Sequence, residues 1–87
     1  MNWEIAYSKQ AREDAKKVKA SSHHAKVKAM IAQLELDPFY VPPSFEKLTG
    51  ELAGYYSRRI NIQHRLVYQL YEKEHLVQII RMWTYYE

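Results

Sequence analysis

The chain has 87 residues, of which 47% are hydrophobic and 26% are charged, and this length fits one domain spanning residues 1–87 but not two. It contains no cysteine, which excludes disulfides, thiolate zinc sites and cysteine nucleophiles. No apolar run resembles a signal peptide or approaches the roughly 20 residues of a membrane span. We therefore expect a cytoplasmic protein that has no membrane partner.

The basic residues are unevenly distributed along the chain. Thirteen Lys and Arg residues against ten Asp and Glu residues give a net charge of +3. Residues 54–70 contain three arginines, one histidine and three tyrosines but no carboxylate. Cations beside aromatic rings suit a polyanion whose bases can stack, so nucleic acid is a candidate ligand. The alternative is a strand with a solvated basic face and tyrosines in the core.

The first 20 residues predict a short strand followed by a helix. Trp3, Ile5 and Tyr7 alternate with other residues, which is typical of a strand with one buried face. The hydroxyl of Ser8 can accept a free backbone N–H and so cap the helix that follows. Apolar residues then recur at helical spacing, namely Ala11, Ala15 and Val18.

A second helix is predicted from the next apolar stripe. Ser21 and Ser22 interrupt the first pattern and offer a new helix cap. The stripe consists of Val27, Met30, Ile31 and Leu34. The helix should end near Leu36, because the residue before Pro38 is disfavoured in helical geometry. Two antiparallel helices with apolar stripes predict a hairpin that covers a sheet.

Residues 38–54 form a long connection that contains three prolines and two glycines. A connection of this length in a small domain is usually functional or contains a short strand. Glu46 lies in this segment, just before the basic strands, where a carboxylate could face a cationic pocket. The alternative is that Glu46 is an ordinary exposed loop residue.

The rest of the chain predicts an antiparallel sheet. Alternating residues mark strands over 55–62 and 65–71, with a turn at 72–75. The last strand runs from Leu76 to about Thr84 and is apolar on both faces, as expected of a central strand. Strands and helices in this order predict an α+β domain with two helices on one face of an antiparallel sheet.

Several kinds of site can be weighed from residue types alone. His23 and His24 are neighbours that point in different directions, while His64 and His75 are distant in sequence, so no spacing predicts a metal site. Two glycines are too few for a glycine-rich phosphate loop. A Ser-His-Asp triad is not excluded, but no pattern places one.

RNA cleavage needs only a base, cations and an acid, because the ribose 2′-oxygen attacks the adjacent phosphorus. Glu46 is a candidate base. Arg58, Arg59 and Arg65 flank a predicted turn and are candidate cations. The alternative for these arginines is that they lie on solvated strands.

Residues 45–68, FEKLTGELAGYYSRRINIQHRLVY, resemble a characteristic stretch of the YoeB/Txe toxins. In that family E-x-L, a short linker, L-[SA]-G-[YFW]-[YW]-S-R-R-I and H-R-L-V-Y follow one another with this spacing. Residues 81–87, RMWTYYE, also resemble the family's C-terminal sequence. The predicted first strand and the two helices after it fit the family's order of elements. The resemblance implies the RelE-like microbial RNase fold and ribosome-dependent endoribonuclease activity on mRNA in the A site.

The resemblance also implies roles for individual residues. Glu46 corresponds to the family's general base, and Arg65 to the arginine that binds phosphate and stabilises the transition state. Arg59 matches a second active-site arginine. Lys47 and Arg58 are expected to contact the RNA or the ribosome.

The C-terminal positions depart from the family pattern. Tyr85 stands where the family has a catalytic histidine, and Tyr86 corresponds to the tyrosine that follows it. An unperturbed tyrosine titrates near 10 and a histidine near 6.5, so tyrosine is the weaker proton donor at neutral pH. RelE relatives use a C-terminal tyrosine near this site, so Tyr85 is either a natural variant or an attenuating substitution.

The partners implied by the resemblance are a YefM-type antitoxin, the ribosome and mRNA, with operator DNA reached only through the antitoxin complex. The sequence leaves a homodimer open, and the implied reaction needs no cofactor or metal. It would leave a 2′,3′-cyclic phosphate. Two other functions remain: an attenuated homologue that binds antitoxin as a co-repressor, and a free-standing RNA-binding module.

Overall fold

The computed structural model describes residues 2–41, 44–50, 54–61 and 64–83. Within these residues the chain forms five strands and two helices. They are β1 (Glu4–Tyr7), α1 (Lys9–Lys19), α2 (His24–Leu36), β2 (Phe45–Lys47), β3 (Tyr55–Arg59), β4 (Arg65–Tyr71) and β5 (Leu76–Arg81). The predicted α+β class is therefore confirmed, and the long connection does contain a short strand.

The five strands form one sheet in the order β1-β5-β4-β3-β2. The β2–β3, β3–β4 and β4–β5 pairs are antiparallel, as predicted. β1 and β5 instead run parallel, with Glu4 opposite Leu76 and Tyr7 opposite Ile79. A parallel pair needs a crossover between its strands, and the crossover here contains both helices. β5 has a partner strand on each side, which agrees with its apolar composition.

The starts of the two helices differ in how they are capped. Ser8 Oγ accepts the backbone N–H of Ala11 at 3.0 Å and donates to the carbonyl of Ile80 at 2.9 Å, so the predicted first cap is confirmed. The second predicted cap is wrong. α2 begins at His24, and Ser21 Oγ accepts the N–H of His23 before the helix starts. Neither helix in the described part of the chain is long and apolar enough to cross a membrane.

One hydrophobic core joins both helices to one face of the sheet. Burying these apolar side chains is the main favourable contribution to the folding of so small a domain. The buried members are Ala11 and Val18 of α1, Val27, Met30 and Leu34 of α2, and Ile60, Leu66, Tyr68, Val77, Ile79 and Met82 from the sheet and its edges. Side chains that alternate onto the opposite face of the sheet, such as Arg59 and Arg65, are not part of this core.

A buried carboxylate fastens α1 to the end of β5. Asp14 has no exposed surface, and its Oδ2 accepts Arg81 Nε at 2.8 Å and the Met82 backbone N–H at 3.1 Å. Burial alone would raise the pKa of Asp14, but the hydrogen bonds and charge from Arg81, with the Met82 N–H, outweigh it and hold that pKa below its usual value. The ionised form of Asp14 therefore stabilises the fold.

We expect Asp14→Asn to lower the free energy of unfolding by about 3 kcal/mol, because a buried ion pair loses one partner. The folded-state pKa of Asp14 is depressed, so its contribution is fully present above the unfolded pKa of about 4 and is lost as the pH falls through the lower folded value. Denaturant unfolding at pH 7 and at pH 3 measures both effects. Glu13→Gln is the control. Glu13 also forms an ion pair, with Lys16 at 3.7 Å across one helical turn, but that pair is exposed to water. Equal stability of the two variants at pH 7 would contradict this assignment.

Candidate active site

Two of the clefts in the described part of the molecule are of similar size. One, of about 330 Å³, lies between the helices and is lined mainly by core side chains with Lys19 and Lys28 at its rim. The other, of about 320 Å³, lies on the sheet and is lined by Ser44, Glu46, Ser57, Arg59 and Arg65. Only the second combines a carboxylate with arginines, so it is the candidate active site.

Strand register explains why these residues meet. Glu46 of β2 lies opposite Ser57 of β3, and Arg59 of β3 lies opposite Arg65 of β4. Because side chains alternate along a strand, Ser57 and Arg59 share a face, and their cross-strand partners share it with them. Three short strands thus bring Glu46, Arg59 and Arg65 to one cleft, although Glu46 was predicted to lie in an irregular segment.

Glu46 and Arg65 form an ion pair at the cleft. Arg65 Nη1 donates to Glu46 Oε1 at 3.1 Å, with side-chain exposures of 14% for Arg65 and 68% for Glu46. An ion pair this open to water adds little to stability. The carboxylate is accessible to a substrate hydroxyl, while the guanidinium is held against the sheet.

The two cleft arginines favour an anionic ligand. Like charges directly opposite each other on neighbouring strands repel, which destabilises the free sheet. Arg59 is exposed and Arg65 is half-buried at that pair. A phosphate between them would relieve the repulsion and accept hydrogen bonds from both guanidinium groups. The cleft is therefore suited to phosphate with a carboxylate beside it.

Two serines that the sequence did not predict, Ser44 and Ser57, also line the cleft. Ser57 is buried, and its Oγ has no hydrogen-bond partner among the residues that the structure describes. A buried hydroxyl of this kind is available to a ligand that enters the cleft. Its position between Tyr56 and Arg58 in the S-R-R-I motif was the available signal, since it alternates onto the same face as Arg59.

Arg58 does not lie in the cleft, and its predicted contact with RNA or the ribosome is wrong. Its side chain has no exposed surface. Nε donates to Tyr68 Oη at 2.8 Å and Nη2 donates to the Pro38 carbonyl at 2.9 Å. The guanidinium also lies 3.8 Å from the centre of the Tyr40 ring. Alternation along β3 points Arg58 into the core and Arg59 towards solvent.

The other predicted site residues, Lys47, Tyr85 and Tyr86, are not among the residues that line the cleft in the described part of the chain. Lys47 is exposed on β2 but does not line the cleft, and it stays a predicted contact. Tyr85 and Tyr86 lie outside the described residues. The last described aromatic residue, Trp83, stacks on His64 with ring centres 4.2 Å apart, next in sequence to Arg65.

Two histidines that are distant in sequence come together beside this stack. The rings of His23 and His64 are 5.8 Å apart, and His23 Nε2 lies 2.8 Å from the Asn61 side-chain nitrogen. That contact occupies one candidate ligand atom. In the described ranges no group of three or more metal-binding side chains forms.

The known proteins that resemble this chain in sequence and in structure are bacterial toxins. The chain is 43% identical over 49 residues to the toxin YoeB of Mycobacterium bovis, an alignment that covers 56% of this chain and 58% of that protein. The chain thus spans little more than half the length of the curated relative. Among solved structures, a YoeB/ParE toxin from Agrobacterium tumefaciens superposes with a TM-score of 0.86 at 25% identity, covering 95% of this chain and 99% of that one.

YoeB of Staphylococcus aureus is also similar, with a TM-score of 0.81 at 30% identity over 99% of this chain and 100% of the other. It has been solved as a heterotetrameric complex with YefM and as a dimer. The model of the YoeB-like toxins matches residues 7–86. The resemblance and the RelE-like fold are thereby confirmed, and the chain belongs to the YoeB-like toxins of bacterial type II toxin–antitoxin systems.

Proposed function

We propose that this chain is a ribosome-dependent endoribonuclease that cuts mRNA in the ribosomal A site. The observation that supports the proposal most is the pairing of Glu46 with Arg65, at 3.1 Å, in a cleft that Arg59 also lines. A base beside two phosphate-binding cations is the minimum set for attack by a ribose 2′-oxygen. Membership of the YoeB-like toxins supports this proposal.

The proposed reaction starts when the substrate phosphate competes for Arg65. Glu46, released from its ion pair, accepts the proton of the 2′-hydroxyl, and the 2′-oxygen bonds to the adjacent phosphorus. Arg65 and Arg59 stabilise the added charge on the phosphorane. The bond to the 5′-oxygen breaks as Tyr85 or Tyr86 donates a proton. The products are a 2′,3′-cyclic phosphate and a 5′-hydroxyl, formed by side chains alone.

The proposed protein partner is a YefM-type antitoxin. The YoeB–YefM complex from Staphylococcus aureus supports this class of partner. Because Arg58 is buried, we expect an acidic antitoxin segment to face Arg59 and Arg65 instead. Binding there would block the cleft and weaken with added salt. Operator DNA would be reached only through this complex, and the dimer of the relative supports a homodimer.

The test is to incubate the chain with translating ribosomes and to map mRNA ends by primer extension. Cleavage that requires ribosomes would support the proposal. Antitoxin binding without cleavage would instead support the attenuated co-repressor, which Tyr85 in the histidine position favours. Cleavage of free RNA at the same rate would contradict ribosome dependence.

Glu46→Gln should lower ribosome-dependent cleavage by about 10²–10⁴-fold, because it keeps the size of the side chain but removes the base. Its thermal unfolding should match that of the parent, since the ion pair it breaks is open to water. Ribosome binding by sedimentation should persist. Cleavage at the parental rate would show that Glu46 is not the base.

Arg65→Ala should lower cleavage by about 10²–10³-fold through lost stabilisation of the phosphorane. Arg65→Lys keeps the charge but not the planar two-pronged contact with phosphate oxygens, so it should restore only part of the rate. Single-turnover cleavage rates measure the difference. Full activity of the lysine variant would mean that a point charge is sufficient.

Tyr85→His should raise cleavage, because an imidazolium gives up its proton more readily than a phenol at neutral pH. Tyr85→Phe should lower cleavage, because it deletes the transferable proton. Growth of a host without antitoxin is a second measurement: it should be slowest with Tyr85→His and fastest with Tyr85→Phe. If neither variant changes the rate, Tyr86→Phe becomes the decisive variant for the acid.

A further inference from the structure

We propose that Arg58 is a positioning residue for Glu46, acting from inside the core through the segment that carries the base. The inference rests on the proposed function for its catalytic consequence. Arg58 and Glu46 do not share a face of the sheet, so any effect must pass through the backbone and side chains between them. The described contacts supply that connection.

Arg58 contacts the connection before β2 at two points and β2 itself at a third. Its Nη2 holds the Pro38 carbonyl at 2.9 Å, and its guanidinium carbon lies 3.8 Å from the Tyr40 ring centre. The same carbon lies 5.0 Å from the ring centre of Phe45, the first residue of β2. A planar guanidinium can donate in its plane and stack on its face at once, which a lysine cannot do.

β2 needs such support because it is short and lies at an edge of the sheet. It has three residues and, among the described strands, pairs with β3 alone. Beyond its end, the Leu48 N–H donates to the Tyr55 carbonyl at 2.9 Å. A three-residue edge strand forms few ladder hydrogen bonds, so its position depends on side-chain packing.

The register transmits this packing to the base. Phe45 lies directly opposite Arg58, and its ring also packs on Tyr56 with centres 5.7 Å apart. Glu46 is the next residue, so alternation turns its carboxylate to the other face when Phe45 is fixed in the core. Holding Phe45 inward therefore holds Glu46 outward, beside Arg65.

Arg58 is itself held in place by Tyr68. Tyr68 is fully buried, accepts Nε at 2.8 Å and stacks on Tyr56 with ring centres 5.8 Å apart. Tyr68 of β4 thus fixes the position of the Arg58 guanidinium. Arg58 in turn fixes the positions of the connection and of β2. Arg58 and Arg59, adjacent in sequence, take different roles because one faces the core and the other faces the cleft.

The test is a double-mutant cycle on ribosome-dependent cleavage. Arg58→Lys should lower kcat by about 10- to 100-fold, since small misplacement of a catalytic group has costs of this size. KM should change less than twofold, because the cleft arginines remain. In a Glu46→Gln background the same change should have less than about a twofold effect, because the residue it positions no longer acts as a base. Equal losses in both backgrounds would overturn the proposal.

Tyr68→Phe is a second variant that keeps the Arg58 charge and removes one acceptor. It should lower kcat in the same direction by a smaller factor, and this loss should also vanish with Glu46→Gln. Val77→Ala is the matched control, because Val77 is fully buried in β5 and does not contact Arg58 in the described contacts. Its loss of stability should leave kcat unchanged below the unfolding temperature. A loss of kcat equal to that of Arg58→Lys would overturn the proposal.

Amide hydrogen exchange in the free protein gives a readout that needs no activity. In Arg58→Lys the amides of β2 and of Leu48 should exchange at least tenfold faster than in the parent, while those of β5 keep their protection. Unchanged exchange in β2 would overturn the positioning role. If the parent chain fails to cleave mRNA, the proposed function fails, and the exchange data still decide whether Arg58 fixes β2.

Discussion

The burial of the Arg58 guanidinium is the constraint on which the cleft side of the molecule depends. A cation removed from water is tolerated only where hydrogen bonds and polarisable groups replace its hydration. Tyr68, the Pro38 carbonyl and the Tyr40 ring do so here. Burial raises the pKa of Tyr68 to about 12, and the nearby Arg58 charge opposes that rise, so the phenol stays neutral. Satisfying this one charge requires the connection before β2 to fold over β3 and β4.

Two carboxylates that each pair with an arginine, Asp14 in α1 and Glu46 in β2, differ in their exposure to water. Asp14 is buried, accepts a guanidinium and a backbone N–H, and joins a helix to a strand. Glu46 also accepts a guanidinium, but it is 68% exposed, so its ion pair can exchange for a substrate at little cost in stability. A carboxylate that stabilises the fold must be enclosed, whereas one that reacts must be reachable.

Local patterns predicted most elements but not every residue's environment. The apolar stripes placed both helices, and alternation in β3 already put Arg58 on the face of Tyr56 and Ile60. Arginine side chains usually lie in water, which suggested that Arg58 is exposed. Alternation along β3 instead indicated a buried side chain, and that indication was correct. β2 has too few residues for a periodic signal, and the parallel pairing of β1 with β5 depends on distant residues, which no local window contains. Residue type and position made Glu46, Arg59 and Arg65 candidates, and the motif suggested their roles, while Ser57 needed the register.

The pairing of the first strand with the last has a consequence for how the protein is made. Ser8 bonds the backbone of Ile80, 72 positions away, and β1 has β5 as its strand partner. A growing chain therefore cannot complete its sheet until β5 has been synthesised, and contacts across such separations form slowly because the intervening loop must close first. Until then the apolar stripes of both helices lack Val77 and Ile79 of the core that they cover, and exposed apolar surface of this kind makes unfinished chains prone to aggregation. A chain that stops before β5 would therefore lack both the sheet partner of β1 and the backbone carbonyl that Ser8 binds.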